Sequence, residues 1–116
     1  MGKKEKATPK TRKLRILTSA YNDIDTIVDF IAFNNQQPLN AIKVSEKIFS
    51  TIENIAANPF AYKECEQILT KTKIYRRAMC LSWLIIYKIT NTEILILGVI
   101  HGARSRSKVS KLRKIK

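Results

Sequence analysis

Two stretches of the chain concentrate side chains capable of polar chemistry. Residues 63–77 hold Lys63, Lys71, Lys73, Arg76 and Arg77, and an apolar run ends in His101-Gly102-Ala103-Arg104. Guanidinium groups grip phosphate or carboxylate through paired N–H donors, and histidine is the side chain whose unperturbed pKa best suits general acid–base work near neutrality. His101, Arg77, Arg104 and Lys73 are the candidates for catalysis, His101 as a general acid or base and the arginines as a clamp for phosphate or carboxylate. Each also has an ordinary reading, since exposed Lys and Arg are usually solvated surface and a histidine closing a strand is often only hydrogen-bonded. Arg76, Tyr87, Arg106, Lys108 and Lys111 are the candidates for contact with nucleic acid or a protein partner. Tyr75, Trp83 and Tyr87 sit among aliphatic residues, where aromatic side chains more often fill a core than stack on bases.

The charge is concentrated at the ends. The 116 residues carry a formal net charge of +13 from 22 Lys or Arg and 9 Asp or Glu. Residues 1–18 contain seven of the basic residues against Glu5, residues 104–116 contain seven against no acid, and residues 19–103 are neutral. A hydrophobic fraction of 45% in one chain of this length is enough for a globular core, which excludes a wholly disordered basic peptide. The longest apolar runs, near 83–89 and 94–100, are too short for a bilayer helix of roughly 20 residues. No apolar segment follows the basic start, so a cytoplasmic protein without membrane contact is expected. Cys65 and Cys80 lack CxxC spacing and read as packing thiols, and with a single histidine no metal or other cofactor is expected.

The elements that must position these residues follow from periodicity. Residues 1–13 read as a disordered basic arm, 14–104 as the folded domain and 105–116 as a basic tail. Leu14–Thr18 alternates as an edge strand. Ser19 offers an N-cap, and Ala20, Ile24, Ile27, Val28 and Ile31 form one helical stripe with Asp25 and Asp29 opposite it. Residues 34–38 form a loop, and Pro38 is suited to open a second helix over Leu39–Ala57. That helix is striped by Ala41, Val44, Ile48, Phe49, Ile52 and Ile55, and Asn58-Pro59 stops it. Three strand-like runs follow at Lys73–Met79, Ser82–Ile89 and Glu93–Ile100, the last two joined by a turn at Thr90-Asn91-Thr92. The expected fold is α+β in the order β-α-α-β-β-β, a small antiparallel sheet with a helical hairpin packed on one face and the other face open to a partner. Arg76 and Arg77, adjacent in a strand, should point to opposite faces.

Three features together resemble the RelE/ParE superfamily of toxins from type II toxin–antitoxin systems over about residues 14–109. They are the order of elements, Tyr75-Arg76-Arg77 leading into Trp83-Leu84-Ile85-Ile86-Tyr87-Lys88-Ile89, and the ending Val99-Ile100-His101-Gly102-Ala103-Arg104. The resemblance implies a growth-arresting toxin neutralised by a cognate antitoxin protein. It also implies one of two targets. ParE-like members bind DNA gyrase without chemistry, and the His-Gly-x-Arg ending is similar to theirs. RelE-like members cut mRNA on the ribosome as endoribonucleases, often with a C-terminal tyrosine, whose position here holds Ser110. ParE-like inhibition of gyrase is the leading expectation, with RelE-like cleavage and a non-toxic basic nucleic-acid-binding module as alternatives. Acidic, partly disordered antitoxin segments would suit so basic a surface.

Overall fold

The structure, a computed structural model, describes residues 12–65 and 73–102. Strand β1 (Lys13–Ile16) leads into helix α1 (Thr18–Asp29), which runs on through a π-helical turn (Phe30–Asn34). Helix α2 (Pro38–Ala57) returns antiparallel, with Pro38 in its first turn as expected. A 3₁₀ turn (Pro59–Ala61) and a two-residue strand β2 (Lys63–Glu64) precede β3 (Tyr75–Cys80), β4 (Trp83–Ile89) and β5 (Glu93–His101). The sheet order is β1-β5-β4-β3-β2, so β1 is an edge strand, as its short alternating sequence predicts.

The β3-β4-β5 meander is antiparallel, with Tyr75 opposite Lys88 and Ile89 opposite Ile94. The sheet as a whole is mixed rather than purely antiparallel, because β1 lies parallel to β5, with Lys13 beside Glu93 and Ile16 beside Ile96. A parallel neighbour needs a crossover, and the helical hairpin supplies the chain length for it. Lys13 N–H reaches Thr92 O at 2.9 Å and so ties the strand to the β4–β5 turn. The Arg15–Glu93 ion pair across the same two strands (3.3 Å) is solvated and adds little.

The two helical stripes bury as their spacing requires. Ala20, Ile24 and Ile31 of the first helical segment meet Ala41, Val44, Ile48, Ile52 and Ile55 of α2, and both pack on Ala78, Ile85, Tyr87, Ile94, Ile96 and Val99 of the sheet. Each Val or Ile side chain among them contributes about 1.5–3 kcal/mol on full burial. Ser19 does not cap α1. The N-cap is Leu17, with no side-chain cap bond, and the Ser19 hydroxyl instead donates to Leu97 O at 2.6 Å. The opposite face of the sheet is not the open surface that the sequence suggests: Leu17, Cys65, Tyr75, Leu84, Ile86, Leu95, Leu97 and Ile100 form a second buried cluster there. Strands buried on both faces read as continuous apolar runs rather than alternating ones, and Leu84–Tyr87 and Ile94–Leu97 are such runs. Both cysteines are buried, and neither forms a disulfide.

One irregularity sets the register at the far end of the sheet. Ile86 pairs with Gly98 but the next residue, Tyr87, pairs with Ile96, so Leu97 is an extra residue in β5. Helix α1 takes up the backbone groups around this bulge: Ser19 Oγ donates to Leu97 O, and Asp23 Oδ2 accepts the Val99 N–H at 2.9 Å. The two side chains are four residues apart, about one helical turn, and so lie above one another on the face against the sheet.

Removing the Asp23 carboxylate leaves the Val99 amide unsatisfied in a partly buried site, so Asp23→Ala should lower the unfolding free energy by about 1–3 kcal/mol. The exposed neighbour variant Asp25→Ala should stay within about 0.5 kcal/mol of the parent. Urea titration of the two variants side by side checks this, and equal midpoints would remove the bulge clasp from the account.

Candidate functional site

The expected pair of opposed arginines on β3 is present. Arg76 turns toward the helices and is spent on the protein's own backbone: Nε donates to Lys73 O (3.0 Å), and Nη1 donates to Tyr62 O (2.8 Å) and Phe60 O (3.3 Å). Its guanidinium also lies 5.3 Å from the centre of the Phe60 ring. Charge-assisted bonds to carbonyls are strong, and these fasten the turn after α2 to the start of β3. Arg76 is thus a brace rather than a free hand for a partner. Arg12 completes the brace from the other side of the turn, with Nε on Thr90 O at 2.7 Å and its guanidinium also 5.3 Å from the Phe60 ring centre.

Arg77 faces the opposite side, half-buried, across from Ile86 on β4 and Lys63 on β2. With Ala61, Tyr62, Lys63 and Met79 it lines a cavity of about 400 Å³. Among the described residues neither Arg77 nor Lys63 has a carboxylate partner. Lys73 stands exposed just before β3 with a left-handed backbone (φ 56°), a conformation that is uncommon outside glycine. It lies at the end of the sheet that holds the β4–β5 turn, where Ile89 N–H reaches Ile74 O at 2.8 Å.

His101 occupies the other end. It closes β5 opposite Trp83, the two rings meeting edge-on at 6.3 Å and 81°. It is exposed and joins Asp23, Thr26, Ile27, Trp83, Val99 and Ile100 around a cavity of about 230 Å³ on the helix side. β4 runs from the His101 end to the Lys73 end, roughly 20 Å at strand rise. His101, Arg77 and Lys73 are therefore not brought together: His101 and Lys73 lie at opposite ends, and His101 and Arg77 on opposite faces. Arg104, Arg106, Lys108 and Lys111 lie outside the described residues.

Tyr87 is a core residue, fully buried, and cannot serve as the surface contact its sequence context suggests. Its hydroxyl donates to Pro59 O at 2.6 Å, and its ring meets Tyr62 edge-on at 6.4 Å. Desolvation pushes its pKa far above the ordinary phenol value, partly offset by the positive charge of Arg76, while Tyr62 adds to the rise. Sequence reasoning grouped Lys63 with Arg77 only as part of one cationic stretch and did not add Met79, nor did it join Ser19 and Asp23 to a bulge. Gly98 was the available signal for the latter, since glycine inside a strand often marks a bulge.

Comparison with known proteins adds the following. Residues 14–106 match the family described as ParE toxin of type II toxin-antitoxin system, parDE. A solved chain of the chromosomal ParDE TA system from P. aeruginosa is similar in structure at a TM-score of 0.63 and 16% identity, covering 78% of this chain and 96% of that one. A search of curated proteins finds no match.

Two stability measurements check the roles assigned to the strand residues. Arg76→Ala should cost about 2 kcal/mol, the value of a charged hydrogen-bonded group, while Arg77→Gln should be within about 0.5 kcal/mol of the parent. The buried Tyr87 phenol must keep its proton, whereas in the unfolded chain it ionises near 10.0. Above that pH the unfolded state holds fewer protons, so stability falls as pH rises. Tyr87→Phe should flatten this alkaline loss, and an unchanged slope between about pH 9 and 11 would contradict the assignment.

Proposed function

We propose, since this chain belongs to the ParE toxin family of type II toxin–antitoxin systems, that it is the growth-arresting toxin of such a pair. It acts by binding and inhibiting DNA gyrase, and a cognate antitoxin protein neutralises it. The observation that supports binding over catalysis is the separation of His101, Arg77 and Lys73, the candidate catalytic groups among the described residues. Acid–base catalysis needs the base within about 3 Å of the proton it moves, or one water away, and a phosphate clamp must share that point. Here the histidine sits on the helix side of one strand end, Arg77 on the other face, Lys73 at the far end, and Arg76 is committed to three carbonyls.

A toxin that binds needs only surface and charge, and a net +13 chain has the charge. The similar solved chain belongs to a ParDE toxin–antitoxin system, and an antitoxin for this chain follows by analogy. An acidic partner would be drawn to it quickly, because complementary charge raises association rates more than it raises affinity.

The purified protein should inhibit plasmid supercoiling by gyrase at micromolar concentration and leave translation in a cell-free extract intact. His101→Ala and Lys73→Ala should keep that inhibition within about threefold, since neither performs chemistry in this reading. If translation stops, with mRNA cut inside the reading frame and supercoiling unaffected, the RelE-like ribonuclease reading replaces this one.

A further inference from the structure

The end of the sheet at the β4–β5 turn carries a cavity of about 350 Å³ that neither the brace nor the toxin reading uses. Phe60, Ile74 and Ile89 form its apolar walls, and Arg12, Lys88 and Asn91 supply its polar groups. The walls come from both sides of the sheet. Phe60 belongs to the turn after α2, and Ile74 packs against the second buried cluster. A cavity of this size, with apolar walls and a few placed polar groups, has the make-up of a small-molecule site.

Both charged residues in the lining are cations. Arg12 is set in place by the protein itself: Nε donates to Thr90 O at 2.7 Å, and the guanidinium lies 5.3 Å from the centre of the Phe60 ring. Its Nη1 and Nη2 make no hydrogen bond among the described residues, so the fork that grips an oxyanion is oriented and unspent. Lys88, opposite Tyr75 on β3, holds its Nζ 5.6 Å from the centre of the Tyr75 ring and has no carboxylate partner among the described residues. Glu93, the acid that opens β5, is engaged by Arg15 at 3.3 Å. Asn91 adds an amide, at once donor and acceptor. A group already held in its binding position loses little freedom when a ligand arrives.

We infer that the cavity at the β4–β5 turn is a binding site for a phosphate monoester with a flat apolar body, the class to which nucleoside monophosphates belong. Its phosphate oxygens take the Arg12 fork and the Lys88 ammonium, and its body lies among Phe60, Ile74 and Ile89 with a polar edge toward Asn91. Charge selects the monoester. A terminal phosphate carries about −1.5 to −2 near neutral pH and so matches two cations, whereas a carboxylate or an internal nucleic-acid phosphate carries a single charge and leaves one cation unmatched. The apolar walls select against a bare phosphate ion, which would bury nothing on them. The site stands on these residues alone and does not depend on the toxin's target.

The test is an NMR titration of the full chain with adenosine 5′-monophosphate and with phenyl phosphate, against adenosine, inorganic phosphate and a thymidylate oligonucleotide without terminal phosphates. At millimolar concentration both esters should shift the amides of Ile89, Thr90 and Asn91, and adenosine and inorganic phosphate should each bind about tenfold more weakly or worse. Lys88→Gln leaves the Arg12 contacts to Thr90 and Phe60 in place and should weaken ester binding about tenfold. Arg12→Lys keeps the charge but loses the fork, and it should weaken binding by about the same factor. Lys43→Gln, an equal loss of charge at an exposed position of α2, should stay within about twofold of the parent. Failure of both esters to shift the three amides would overturn the inference, and that result is read on the parent protein and does not rely on any variant folding. It would equally be overturned by equal weakening in Lys43→Gln and Lys88→Gln, which is the mark of diffuse charge attraction, or by adenosine or inorganic phosphate binding as tightly as the esters. Oligothymidylate binding the same amides as tightly as the esters would replace it with a contact to the nucleic-acid backbone.

Discussion

The bulge at Leu97 and its clasp by α1 govern the arrangement of the rest. A strand with strict alternation from Ile94 would put positions 94, 96, 98 and 100 toward the helices and His101 on the far face, the face of Arg77. The extra residue reverses this beyond Gly98, so Val99 joins the helix-side core and Ile100 the other cluster, and His101 meets Trp83 on the helix side. A bulge exposes backbone groups that must find partners. Ser19 and Asp23 provide them, and in doing so they fix where α1 lies along β5. Helix placement and the facing of the only histidine therefore rest on the same two hydrogen bonds.

Burial on both faces explains where the charges lie. β4 and β5 are covered on either side, so Leu84 to Tyr87 and Ile94 to Leu97 leave no room for a charge. Cations are found instead on β1, β2 and β3 and at strand ends. Of the two β3 arginines, one is consumed in bracing the Phe60–Tyr62 turn and the other faces Lys63. Phe60 itself, more than half exposed, is held between the α2 exit and the β4–β5 turn by two guanidinium groups rather than by apolar packing.

The helices and the meander are legible in the sequence because they rest on local periodicity, which the helical stripes and the Thr90–Thr92 turn carry plainly. Less legible are features decided by contacts distant in sequence. The parallel pairing of β1 with β5 joins residues some eighty positions apart. β2 is two residues long, below the length at which alternation can be seen. The opposite face reads as open only while the sheet is taken as a one-sided antiparallel layer; the unbroken apolar character of β4 and β5 signals burial on both sides. Arg76 and Arg77 are opposed as their adjacency requires, yet nothing in their spacing distinguishes an arginine that binds three carbonyls from one that lines a cavity. Tyr87 sits among aliphatic residues, the more usual setting of a core aromatic, and it is fully buried with its hydroxyl on the Pro59 carbonyl, which removes it from the candidate contact residues.

The same fold supports different activities in different proteins, so the choice between binding and cleavage falls to the placement of a few side chains. A phosphate held by Arg77 and Lys63 would lie on the face away from His101, with the sheet between them. No rotamer of either side chain crosses a packed sheet, and a shift of one residue in register would carry the whole of β5 with it. Catalysis at Arg77 would therefore need its acid and base from elsewhere than His101. Binding needs no such convergence, and a surface on which Lys63 and Arg77 face each other, with no carboxylate partner among the described residues, is already suited to it.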